Sequence, residues 1–285
     1  MIRLLPALPL AAFALLCAAE SPLEQARGLY QRTDYRGALR VLDSSGIPGA
    51  PRLLLAGKSH FMLGDHKRAA EELEKAVAAD PAGSESYHWL GRAYGRRAET
   101  SGFLTAPRWA SRCRQAFEKS VALDPRNLAA INDLFEYYLQ APGLLGGGVD
   151  KAAALVDKIR PLDAVEHQWA LARLAQKRRD FPVAEQHLRR AVELAPREVG
   201  RVLDLAQFLA GQGRHKESDE AFRLASEVAP DHPRLLFARA SVYVEHKRNL
   251  AQARELLELY LNRELTPEDP PREEARRLLR QATGR

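Results

Sequence analysis

The chain has 285 residues, 46% hydrophobic and 28% charged, a balance that belongs to a folded protein and excludes disordered and fibrous classes. Its richness in Ala, Leu, Glu, Arg and Gln over Ile and Thr favours helix, because unbranched side chains lose little rotamer freedom there. Two cysteines exclude a disulfide framework or a cysteine-based zinc site, and the net charge of +6 suits acidic partners without identifying one.

Residues 1–19 have the build of a secretory signal: Arg3 as the charged start, an apolar run from Leu4 to Cys17, and the small Ala19 before Glu20. Pro6 and Pro9 interrupt the run, which is too short for a comfortable membrane span. Cleavage after Ala19 would remove only Arg3 among the charges, taking +6 less one to +5. The other route is a lipid anchor at Cys17, although Leu16 stands where a lipobox takes a small residue. The expected location is periplasmic or secreted, with a membrane-anchored lipoprotein as the alternative. No later stretch is apolar for long enough to cross a bilayer.

From Glu20 onward the chain repeats itself. Tyr87-His88-Trp89-Leu90-Gly91-Arg92-Ala93-Tyr94 precedes Cys113-x-x-x-Phe117 and Pro125. The second half recurs as Ala38-x-x-x-Leu42, Ala69-x-x-x-Leu73 with Pro81, Ala184-x-x-x-Leu188 with Pro196, Ser218-x-x-x-Phe222 with Pro230, and Ala253-x-x-x-Leu257. Pro196 and Pro230 are 34 residues apart, as are Ala184 and Ser218. These strings resemble the tetratricopeptide repeat, a pair of helices with an aromatic, Leu-Gly and Tyr on the first and a small residue, an aromatic and Pro on the second. The resemblance implies an all-α solenoid. About seven units are predicted over 21–270, starting near 21, 50, 83, 127, 165, 199 and 233. A capping helix and tail over 271–285 would follow, with Ala275, Leu278 and Leu279 as its apolar stripe.

Within units, Gly64-Asp65-His66, Arg179-Asp180-Phe181 and Gly213-Arg214-His215 read as the turn between helices, where Gly ends the first and Asp caps the second. Small residues at Gly57, Gly91, Ala172, Ala206 and Ala240 mark where the paired helices approach closely.

Two insertions break the period at the same intra-unit turn of neighbouring units, over 98–108 and 140–150. Phe103, Leu104, Leu144 and Leu145 are then expected along one edge, either as a ligand-binding rim or packed on one another over exposed core. Gly146-Gly147-Gly148 has neither a preceding strand nor a Gly-Lys-Ser/Thr ending, so it reads as a turn rather than a phosphate loop.

No catalytic motif is present. The eight histidines form no ligand cluster, no Ser sits in a nucleophile elbow, and Cys113 occupies a position where the repeat takes a small buried residue. Neither a catalytic residue nor a cofactor or metal is predicted, and the resemblance implies a non-catalytic scaffold whose first helices line the concave surface. Helical spacing places Lys58, Phe61, His88, Arg92, Arg96, Ile131, Phe135, Tyr138, Trp169, Arg173 and Lys177 toward that face. A partner protein or peptide, an acidic one included, would meet carboxylate-binding arginines at 92, 96 and 173 and apolar contacts at Phe135, Tyr138 and Trp169. The alternative is that these bases solvate helices while Phe135 and Trp169 fill gaps between units. Despite a pI near 9.4, acids interspersed with the bases argue against a nucleic-acid stripe.

Overall fold

Amphipathic stripes, capped starts and short polar links divide the chain into fifteen α-helices in the computed structural model, which describes residues 20–284. The signal-like residues 1–19, including Cys17, lie outside the described residues. The helices are α1 (Pro22–Gln31), α2 (Tyr35–Ser44), α3 (Ala50–Met62), α4 (His66–Ala79), α5 (Ser84–Thr100), α6 (Ala106–Leu123), α7 (Leu128–Gln140) and α8 (Val149–Ile159). They continue with α9 (Ala164–Lys177), α10 (Phe181–Leu194), α11 (Val199–Gly211), α12 (His215–Val228), α13 (Pro233–Glu245), α14 (Leu250–Leu261) and α15 (Arg272–Thr283). The described residues hold no strand, and no helix among them is long and apolar enough to cross a membrane.

Side chains start these helices as their sequence predicts. Asp34, Asp65 and Asp180 accept the amides of Gly37, Arg68 and Val183 at 2.8, 3.1 and 3.3 Å, satisfying donors that the first turn leaves free. The residue ahead of each such turn is left-handed: Gly64 and Gly213 have φ of 79° and 74°, a region open to glycine at no steric cost. Thr33, Arg179 and Lys247 adopt the same conformation at the matching turns with a Cβ present.

Consecutive helices pack as antiparallel pairs, α1 on α2 through α13 on α14, and α15 rests on α14 and α13. Contacts also join α1 to α3, α3 to α5, α5 to α7 and α7 to α9, whereas among the described residues no second helix reaches the second helix of the next pair. The array therefore curves with its first helices inside. Gly57 and Gly91 allow the tight pairing, since a Cβ there would come within 2.5 Å of Leu73 and 2.4 Å of Phe117. The core runs along the solenoid as four successive clusters and divides within α9, where Ala170 and Leu174 belong to the upstream cluster and Ala172 and Ala175 to the downstream one. Cys113 is buried in it, and burial pushes its thiol up to about 12, which leaves it protonated and unreactive.

The two insertions differ in form. The first lengthens α5 and α6 to 17 and 18 residues, so their hairpin projects past the edge. The second folds into a single 3-10 turn, Gly143–Leu145, lying against α6 and held by Tyr137 Oη donating to the Leu145 carbonyl at 2.8 Å. A Cβ at Gly147 would lie 1.8 Å from the Ala141 carbonyl oxygen, so the glycine run serves chain reversal. Phe103, Leu104 and Leu144 are 84, 80 and 97% exposed, and only Leu145 is half-buried. Of the two alternatives for this edge, mutual packing of the four is not what the structure shows: the longer hairpin carries its tip into solvent.

Candidate functional site: the inner face

The inner face is crossed by polar pairs that link successive first helices from α3 to α11. Lys58 Nζ lies 2.9 Å from Glu85, joining α3 to α5. His88 Nε2 is 2.8 Å from Asp133, with Arg92 3.7 Å from the same carboxylate, joining α5 to α7. Arg173 makes a two-pronged bond to Glu136 at 2.7 and 2.8 Å, joining α9 to α7. Arg201 reaches Glu166 at 2.6 Å and so joins α11 to α9. The Lys58, Arg173 and Arg201 pairs each hold a cation against a carboxylate one unit away, His88 is hydrogen-bonded to Asp133, and the two-pronged Arg173–Glu136 geometry fixes spacing as well as charge.

This ladder corrects the reading of a basic groove. Arg92 and Arg173 already face Asp133 and Glu136, and Arg92 also lies 4.3 Å over the Trp89 ring and 5.0 Å over Phe61. Arg96 pairs with Glu99 on its own helix. Lys58, besides Glu85, sits between the Tyr30 and Trp89 rings at 5.3 and 5.1 Å. Lys177, exposed at the end of α9, stands apart from the ladder. The aromatic prediction divides similarly. Phe135 and Ile131 are wholly buried, because the inner stripe of α7 packs into the core instead of the groove. Tyr138 points toward α6, where its hydroxyl donates to Glu118 at 2.8 Å. His88 is likewise buried rather than presented to a partner. Trp169 packs at 5.9 Å on Phe135 and still reaches the surface.

Two clefts remain open on the face. The first, about 490 Å³, lies between α1, α3 and α5 and is walled by Tyr30, Leu54, Leu55, Lys58, Glu85 and Ser86. The second, about 450 Å³, gathers Glu136, Trp169, Arg173, Asp204 and Phe208. Composition along single helices conceals Tyr30, Glu85, Asp204 and Phe208, since each cleft is assembled from helices of more than one unit. The helical offset applied to every unit, with acids counted as well as bases, would have found Glu85 and Asp133. Burial pushes the Asp204 carboxyl up to about 6, against the opposing pull of Arg201 at 3.3 Å. Among the described residues no group of His, Cys, Asp and Glu is arranged to hold a metal.

Comparison with known proteins agrees with this architecture. The tetratricopeptide repeat pattern matches residues 50–82. Among curated proteins none matches the chain in sequence. A tetratricopeptide repeat protein of Parabacteroides merdae is 14% identical, with a TM-score of 0.61 over 93% of this chain and 98% of that one. A thermophilic protein of the same repeat type from Thermus thermophilus is 22% identical, with a TM-score of 0.55 over 66% and 97%. Human IFIT1, solved as a dimer with PPP-AAAA, is 16% identical, with a TM-score of 0.56 over 84% of this chain and 54% of that one. These likenesses show the fold. Proteins of this repeat generally act as non-enzymatic scaffolds for protein contacts; residues 50–82 carry one such repeat, and the curved stack of paired helices has the fold of tetratricopeptide-repeat proteins.

Proposed function

We propose that the chain is a protein-interaction scaffold of the cell envelope, holding an extended peptide segment of its partner along the inner face. The observation that carries this reading is the cleft between α1, α3 and α5, where Tyr30, Leu54 and Leu55 offer apolar contact beside the Lys58–Glu85 pair. Such a surface, apolar with a few fixed polar groups, suits alternating side chains of an extended segment. The ladder neutralises most of the cations, so recognition relies on shape and mixed polarity, and a strongly acidic partner has no special advantage. The secretory character of residues 1–19 supports an envelope setting, periplasmic or secreted.

The test is site-specific photocrosslinking in intact cells from Leu54 and Phe208 on the inner face and from Leu224 on α12, a second helix. The same partner captured from Leu54 and Phe208 but not from Leu224 is the expected result. Specific capture from Leu224 alone would overturn the inner-face assignment.

A further inference from the structure

We propose that the projecting edge formed by the α5–α6 hairpin and the Gly143–Leu145 turn is a docking surface for an anionic lipid bilayer. Phe103, Leu104 and Leu144 are 80–97% exposed, whereas every other exposed large apolar side chain among the described residues is at most 49% exposed. Partial exposure of single apolar residues is ordinary, but near-complete exposure confined to the two insertions, the second of which lies against α6, marks a contact surface. The prolonged helices carry Phe103 and Leu104 beyond the edge by about one helical turn, roughly 5 Å, a depth suited to the headgroup region of a bilayer.

What lies beneath the tips selects the occupant. Trp109 is ringed by the guanidinium groups of Arg97, Arg108 and Arg112 at 3.5, 5.6 and 5.2 Å. Arg97 and Arg108 have no carboxylate partner among the described residues, while Arg112 is 3.7 Å from Glu74. From Arg96 to Glu118 the segment contains five arginines and two acids, of which Glu99 pairs with Arg96 and Glu118 with Arg114. Lys151 adds a cation at the neighbouring turn beside Asp150. Apolar tips above a belt of tryptophan and arginine match the layering of a bilayer surface, with acyl chains below, amphipathic rings at the interface and anionic headgroups around the cations. The tips are convex prongs, which a soft lipid layer admits without a preformed pocket. The inner face stays free for the partner, so the two surfaces can be occupied together.

The test is cosedimentation of the full chain with vesicles of phosphatidylglycerol and phosphatidylcholine, against vesicles of phosphatidylcholine alone. The variant Phe103→Asp/Leu104→Asp/Leu144→Asp changes only exposed side chains, and its fold is checked by circular dichroism melting. Comparing variants of one chain cancels any contribution from the apolar run before Glu20, and a Cys17→Ser background removes any lipid. The expected result is binding to the anionic vesicles that weakens with salt and falls about tenfold or more in the triple variant, with Arg97→Gln/Arg108→Gln reducing it further. Equal sedimentation of wild type and triple variant, or none by either, overturns the proposal. So does capture of one specific protein by photocrosslinking from Phe103 without any vesicle binding, which would assign the edge to a protein receptor instead.

Discussion

Arg272, the first residue of α15, donates from Nη1 to the Thr33 hydroxyl at 2.9 Å, bridging residues 239 positions apart. Its Nη2 donates to the Arg263 carbonyl at 2.9 Å, so one guanidinium ties the link before α15 to the turn of the first pair. Burial, with Glu268 and Asp269 adding to it and Arg272 opposing, pushes the Tyr35 hydroxyl up to about 12. The solenoid thus winds far enough for its last link to meet its first turn, and the inner face is bounded at both ends.

Arg272→Ala should release that contact. Its cost in stability is small, about 1 kcal/mol, as for a partly exposed hydrogen bond to a charged group. The larger effect is on shape. Spin labels at Arg32 and Glu273, both exposed, should give a short, narrow distance in the wild type and a broad, longer distribution in the variant. An unchanged distribution would mean that curvature alone keeps the ends together.

At the Gly91–Phe117 contact, Gly91→Ala puts a Cβ 2.4 Å from a buried aromatic ring and should cost about 1–3 kcal/mol in a urea melt. Gly200→Ala is the control, since a Cβ there meets nothing within 4 Å and α11 gains helix propensity. A gain of a few tenths up to about 1 kcal/mol is expected there. Similar effects at the two positions would mean that the α5–α6 pair relaxes easily.

The same contact shows what the sequence conveys well. A small residue recurring ahead of a Leu or Phe on the paired helix, at a 34-residue period outside the insertions, reports a backbone approach that a repeating helix pair needs, so the fold class is legible from Gly91, Phe117 and their counterparts. The inner face is less legible because helical offset gives a side chain's direction but not its partner. Asp133, 45 residues beyond His88, decides that this histidine is buried and bonded rather than displayed. Phe135 and Tyr138, three positions apart on α7, diverge to the core and to α6, and the packing of two neighbouring units sets that divergence. Such contacts cross units whose relative rotation no single helix encodes.

Arg179 occupies with φ of 61° the position that Gly213 fills at 74° one unit later. Its Cβ crowds the backbone in this left-handed conformation, at a cost on the order of 1 kcal/mol. Arg179→Gly should therefore stabilise the chain by up to about 1 kcal/mol, a little less where the glycine gains freedom in the unfolded state. Gly213→Arg should destabilise by about 1–2 kcal/mol, and opposite signs at the two sites are the diagnostic outcome in denaturant titrations.

Asp204, which lines the second cleft with Trp169 and Arg173, supplies a pH signature. Burial raises its carboxyl to about 6, with Arg201 pulling it down and Glu166 pushing it up. The folded chain then holds a proton at this site that the unfolded chain has already released between about pH 4 and 6. Its stabilising contribution is fully present below the unfolded value and is lost as pH rises through about 6. The side chain is 30% exposed, so solvent screening reduces the loss to about 1–2 kcal/mol. Asp204→Asn, neutral throughout, removes that titration. In urea melts at successive pH values, wild type should fall relative to the variant between pH 4 and 7. A constant difference across that range would show that Arg201 holds the carboxylate ionised, and the cleft would then present a permanent negative charge to its partner.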